Sequence, residues 1–121
     1  MSNAKKYALV CKDKYKTQTV FEQNNFNVHA KKHSELRQPT FFPERVTNCL
    51  ENPDLIIESH VDHLNGRVYY FEEFSSGGKI RYTKVVVVKQ TNPELNVIIT
   101  VHRPDYIKEY QYSDHKVIFK R

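Results

Sequence analysis

A chain of 121 residues with a formal charge of +5, 39% hydrophobic and 12% aromatic, has room for one hydrophobic core, not two, and is too apolar to belong with disordered sequences. The basic balance, with an isoelectric point near 9.2, favours polyanionic partners such as nucleic acid or an acidic protein and says nothing about fold. The absence of an apolar run of spanning length or a charged-then-apolar leader argues against a membrane span, a signal peptide or a membrane partner within these residues.

Residues 1–4, Met-Ser-Asn-Ala, read as an expression scar, which leaves 5–121 as a single domain. Tyr7 to Cys11 reads as a short strand. From Thr19 to Arg37 polar and apolar residues mix without a clean period, and the expectation is a short strand or loop leading into a helical turn around His29 to Leu36. Phe42, Val46, Cys49 and Leu50 then fall at helical spacing, with Thr40 as a cap, Pro43 tolerated in the first turn and Asn52-Pro53 as the stop. Cys11 and Cys49 form no Cys-x-x-Cys pair, so buried free thiols in a reducing compartment are expected rather than a redox or zinc site, with a single disulfide as the alternative.

Four β-rich runs follow, Leu55 to Leu64, Arg67 to Phe74, Lys79 to Lys89 and Leu95 to His102, joined by short connections that imply an antiparallel meander. Asn65-Gly66 suits a two-residue type I′ turn, since both residues tolerate positive φ. That turn would set Val61 opposite Tyr70 and Ile57 opposite Phe74 on the face that packs on the helix, with His60, Asp62, Arg67, Tyr69 and Phe71 on the other. Val85 to Val88 reads as a central strand covered on both sides. In the last run, Val97, Ile99 and Val101 alternate with Ile98, Thr100 and His102, which puts Thr100 and His102 on one face. Asp105 to Tyr112 is open between helix and strand, and Lys116 to Lys120 pairs at an edge. The fold expected is α+β, an N-terminal strand and helices packed on a four- to five-stranded antiparallel meander sheet.

Three groups of residues carry candidate chemistry. His29 and His33 stand at i, i+4 beside Lys31, Lys32 and Arg37, a spacing that stacks both imidazoles on one side of a helical turn. They are poor zinc ligands, because the Glu of His-Glu-x-x-His is missing. As an acid/base pair beside phosphate-binding cations they make better sense: neutral imidazole can take a proton from a ribose 2′-hydroxyl and imidazolium can return one to the leaving oxygen. Thr100 and His102, followed by Arg103, offer a hydroxyl and an imidazole that can orient or protonate a phosphate. Arg67, Tyr69, Lys79, Arg81, Lys84, Tyr82, Tyr106, Tyr110 and Tyr112 mix cations with stackable rings, as single-stranded RNA binders do. Each group has a plainer alternative: exposed histidines on a basic helix, an ordinary strand end, and a solvated strand face with aromatic core residues.

The order Lys32-His33 before a helix, Asn52-Pro53-Asp54 after it, then Tyr- and Val-rich strands and a closing Ile98-Ile99-Thr100, resembles the barnase, EndoU, colicin and RelE-like nuclease superfamily, above all its phage-type branch. The likeness covers roughly Asn27 to Tyr112 and rests on pattern rather than on an invariant string. Ser34 stands where that family often has proline, and Val101-His102 follows the threonine where a small residue and an aromatic are more usual. The resemblance implies helices before a four-stranded antiparallel sheet, with His33 as the histidine of the Lys-His motif, His29 as its upstream companion and Thr100 as the hydroxyl of the closing strand. His102 is an additional candidate, and Arg67, Arg81 and Lys84 are phosphate clamps among which the motif does not choose, with Tyr69 and Lys32 as further RNA contacts. The function implied is a toxin-like endoribonuclease needing neither metal nor cofactor, acting in the cytoplasm on RNA, tRNA included, and neutralised by an acidic immunity or antitoxin protein. Its setting is either the toxic end of a secreted or surface protein or an independent phage-related or toxin–antitoxin component. A non-catalytic RNA-binding module and a structural or interaction domain of a phage or surface assembly are the alternatives.

Overall fold

The structure, a computed structural model, describes residues 6–38, 41–59, 66–91, 94–107 and 115–121. Two strands, β1 (Tyr7–Lys12) and β2 (Gln18–Glu22), lead into helix α1 (Gln23–Lys32), a 3-10 turn (Ser34–Arg37) and helix α2 (Glu44–Glu51). Strands β3 (Leu55–Ser59), β4 (Arg67–Ser76), β5 (Lys79–Thr91), β6 (Glu94–His102) and β7 (His115–Lys120) complete the described elements. All lie in one sheet of order β1-β2-β6-β5-β4-β3-β7. The α+β class and the antiparallel β3 to β6 meander agree with expectation, but the sheet has seven strands rather than four to five. The N-terminal segment is a hairpin, and β2 joins the meander through a short parallel pairing, Thr19 with Asn96 and Val20 with Val97. No turn residue announces such a contact in sequence.

Helix α1 starts six residues before the expected turn at His29. Phe26 and Ala30, four apart, face the core while Val28 is exposed, so its apolar stripe is only two side chains wide. Pro43 is the N-cap of α2 rather than a residue of its first turn, and Thr40 lies outside the described residues. Val46, Cys49 and Leu50 are buried against Ile56, Tyr70, Val85 and Val87, as their helical spacing implies.

The expected hairpin register is not the observed one. Within β3 as described, Leu55–Ser59, Ile56 pairs with Tyr70 and Ile57 with Tyr69, so Ile57 does not stand opposite Phe74. The shift is by an odd number of residues, which exchanges faces: Ile57 packs with Leu55, Tyr69, Phe71 and Val86 on the side away from α2. Leu55, Ile56 and Ile57 are all buried, so alternation along β3 carries no information about which face is the core. Gly66 does adopt positive φ, at 86°, whereas His60, Val61, Asp62 and Asn65 lie outside the described residues. Central β5, with Val85, Val86 and Val87 buried, is covered on both sides as its run of valines predicts.

A polar knot pins the N-terminal hairpin to this frame. Asp13, 2% exposed, accepts hydrogen bonds from the Tyr70 hydroxyl at 2.7 Å, the Asn96 amide at 3.0 Å and the backbone N–H groups of Tyr15 and Thr17 at 2.9 Å each. A buried carboxylate is tolerable only with this many donors. Burial and the neighbouring Asp13 push the Tyr70 phenol well above its ordinary range. Cys11 and Cys49 are free thiols. Among the described residues no helix is long and apolar enough to cross a membrane.

Candidate active site

The position of the site follows from the place where β2 leaves the sheet. Its pairing with β6 ends at Val97, and α1 takes over that edge: the Asn25 side chain donates to the Ile98 carbonyl at 3.1 Å. Phe26 wedges between Phe21 and Phe42, with centroid distances of 5.6 and 4.7 Å, and fixes the rotation of the helix. His33 is the C-cap, its N–H bonded to the His29 carbonyl at 2.8 Å. Leu36, 2% exposed, anchors the turn that follows. Basic residues His29, Lys31 and Lys32 occupy the last turn, where positive charge suits the helix C-terminus.

A bulge sets the other half. Val86 pairs with Thr100 but Val87 with Ile98, so one extra residue of β6 breaks the simple alternation expected there. Ile98 and Val101 both enter the main core, and Ile98 does not share a face with Thr100 as alternation would have it. Bulges re-aim side chains in this way. Thr100 and His102 remain together, with the Thr100 hydroxyl 2.9 Å from His102 Nε2.

The two halves meet. The rings of His33 and His102 stand edge to face with centroids 5.1 Å apart, and His29 stacks behind His33 at 6.1 Å. His29 also lies 6.4 Å from buried Phe21, and its Nδ1 is buried without a hydrogen-bond partner among the described residues. It therefore sits one step back from the point where His33, His102 and Thr100 converge. Lys84 is the cross-strand partner of His102, and its Nζ lies 4.9 Å from the centre of the Tyr69 ring. Tyr69 in turn stacks on His115 at 5.7 Å.

Of the four histidines among the described residues, His29, His33 and His102 form one chain of ring contacts, whereas His115 on β7 pairs with Ser59 and joins the neighbourhood only through Tyr69. Arg67 shares the face of Tyr69, two residues along β4. Lys32 is exposed beside His33. Arg81 is not brought to this face: strand alternation places it with Thr83 and Val85, toward the helices, where it is ion-paired with Asp105. Arg103 also turns away, over the rings of Phe41 and Phe74. Tyr110 and Tyr112 lie outside the described residues. His115 was absent from the sequence-based candidates, because an isolated histidine after an undetermined segment carries no local signal. No group of three or more His, Cys, Asp or Glu side chains among the described residues is arranged to hold a metal ion.

Chemically, the convergence offers two imidazoles and a hydroxyl at one partly exposed spot, with the Lys84 cation on the adjacent strand, enough for proton transfer in both directions beside groups that can hold negative charge. Residues 26–103, more than half of the chain, match a family described as a domain of unknown function, DUF4258. The matched span runs from α1 to the end of β6 and so contains His29, His33, Lys84, Thr100 and His102. No curated protein and no solved structure matches the chain.

Proposed function

The chain belongs to the DUF4258 family, and for this member we propose the activity of a toxin-like endoribonuclease that cleaves RNA by attack of a ribose 2′-hydroxyl on the adjacent phosphate. The observation that carries the reading is the meeting of His33, from a helix cap, with His102 and Thr100, from the closing strand of the meander. One imidazole of the pair accepts the 2′-hydroxyl proton as the new bond to phosphorus forms. The other protonates the departing 5′-oxygen. The products are a 2′,3′-cyclic phosphate and a free 5′-hydroxyl, and no metal is needed because the substrate supplies its own nucleophile. Thr100 and Lys84, the cross-strand neighbour of His102, hold the charge that develops on the phosphorane. His102, in direct ring contact with His33, is a better complement to it than His29, which is stacked behind.

The formal charge of +5 supports association with RNA and with an acidic immunity or antitoxin protein that would cover the same face. The experiment is incubation of the purified chain with total RNA in a chelator, gel analysis and identification of the ends. Cyclic phosphate and 5′-hydroxyl ends are expected. Binding that falls steeply with salt but leaves the RNA intact would instead make this a non-catalytic RNA-binding module.

A further inference from the structure

Beyond Lys84, the face that carries His102 is not flat. Strand register runs from His102 on β6 to Lys84 on β5, Phe71 on β4, Leu55 on β3 and Lys120 on β7. One row further along, Glu73 pairs with Tyr82. Past Lys84, the residues of β3, β4 and β7 in these rows, with Tyr82 of β5, border a cavity of about 320 Å³, roughly the lower bound of small-molecule sites. Leu55, Phe71, Tyr82 and Ile107 supply apolar and aromatic walls, and Glu73 and Lys120 stand at the rim. Asp54 and Arg121, also at the rim, are occupied with each other at 3.2 Å. The Glu73 carboxylate has no ion pair among the described residues, although its own N–H is held by Asp54 at 2.7 Å. The backbone under this acceptor is therefore fixed while its side chain stays exposed.

With neighbouring strands about 4.8 Å apart, the β4 wall of the cavity lies roughly 10 Å across the sheet from His102. That is within reach of a nucleotide next to a phosphate held there. We propose that this cavity is a nucleobase pocket, in which a base of single-stranded RNA flanking the phosphate at His33 and His102 packs against Tyr82 and Ile107, above the buried ring of Phe71, while Glu73 accepts a hydrogen bond from its exocyclic amino group. The proposal rests on the ribonuclease reading for the position of the phosphate. An ionised carboxylate only accepts hydrogen bonds. Cytosine, adenine and guanine each offer an amino group to Glu73, whereas uracil presents a carbonyl oxygen where cytosine has its amine and is repelled.

Cytosine and uracil have nearly the same shape, so they isolate this contact. The test measures fluorescence anisotropy with labelled 2′-O-methyl hexacytidylate and hexauridylate, neither of which has a 2′-hydroxyl to react. The unmodified chain should bind the cytidine probe roughly 10- to 100-fold more tightly, the range for a hydrogen bond to a charged group. Glu73→Gln should erase the difference, and Tyr82→Ala should weaken both probes. Equal affinity for the two probes, no binding of either, or a preference that survives Glu73→Gln overturns the pocket. Cleavage of unmodified RNA, assayed in parallel, separates the two ideas. Cleavage without discrimination removes the pocket and leaves the nuclease standing, whereas discrimination without cleavage leaves the pocket and removes the nuclease.

Discussion

His33 and His102 meet edge to face at 5.1 Å, one from the cap of α1 and the other from the last residue of β6. Both are partly exposed, so their removal should cost chemistry rather than the fold. His33→Ala and His102→Ala should each lower RNA cleavage by about 10²- to 10⁴-fold. The double variant should be little worse than the more severe single one, because groups that act as a unit are not additive. Initial cleavage rates beside urea unfolding midpoints check this, with midpoints expected to stay near that of the parent chain.

The Thr100 hydroxyl, 2.9 Å from His102 Nε2, has two separable roles. If it holds charge in the transition state, Thr100→Val should lower cleavage by about 10²-fold and Thr100→Ser should restore most of it. A loss of only about 2- to 10-fold, the worth of a single neutral hydrogen bond, would reduce Thr100 to orienting the imidazole. Rates for the two variants on one substrate decide between these.

Stability should depend on the buried carboxylate of Asp13. Asp13→Ala strands the Tyr70 hydroxyl, the Asn96 amide and two backbone donors, and should lower unfolding free energy by about 3 kcal/mol. Tyr70→Phe removes one donor from a carboxylate that keeps the others, and should cost about 1 to 2 kcal/mol. Urea titrations read both.

The thiols and Tyr70 make the fold sensitive to alkali. Burial, then Glu51 and Asp13, raise the Cys11 thiol from 9.0 to about 11, and burial followed by Glu72 raises the Cys49 thiol well above its ordinary value. Below pH 9 folded and unfolded chains both keep these protons. As pH rises from 9 toward 11 the unfolded chain gives up its Cys11 proton first, so this contribution is fully present below pH 9 and is lost on the way to 11. Tyr70, raised chiefly by burial, extends the decline above pH 10. Thermal midpoints should therefore fall through this window, and both cysteines should alkylate slowly at pH 8 until urea unfolds the chain.

The meander was legible because short polar connections and a run of valines leave antiparallel neighbours as the simplest arrangement, and α2 because Val46, Cys49 and Leu50 repeat at helical spacing. The register of β3 was not, since Leu55-Ile56-Ile57 is apolar on both faces and the Asn65-Gly66 signal overrode it. The parallel β2 to β6 contact and the bulge at Ile98 to Thr100 are long-range consequences of packing, with no residue that marks them locally. His29, His33, Thr100 and His102 were each nameable from residue type and spacing, yet their convergence depends on Asn25 and Phe26, whose roles become visible only when α1 is laid along β6. Arg81 looked equivalent to Lys84 in sequence, and strand alternation sends it to the other side of the sheet.

The central claim is that the nucleophile belongs to the RNA. Its most direct test is a short oligoribonucleotide containing the position this protein cuts, compared with the same oligonucleotide carrying a single 2′-deoxyribose on the 5′ side of that bond. Cleavage of the all-ribose strand and none at the deoxy position is the result expected. Cleavage that persists at the deoxy position, or an all-ribose strand left intact by the purified chain, would contradict the account.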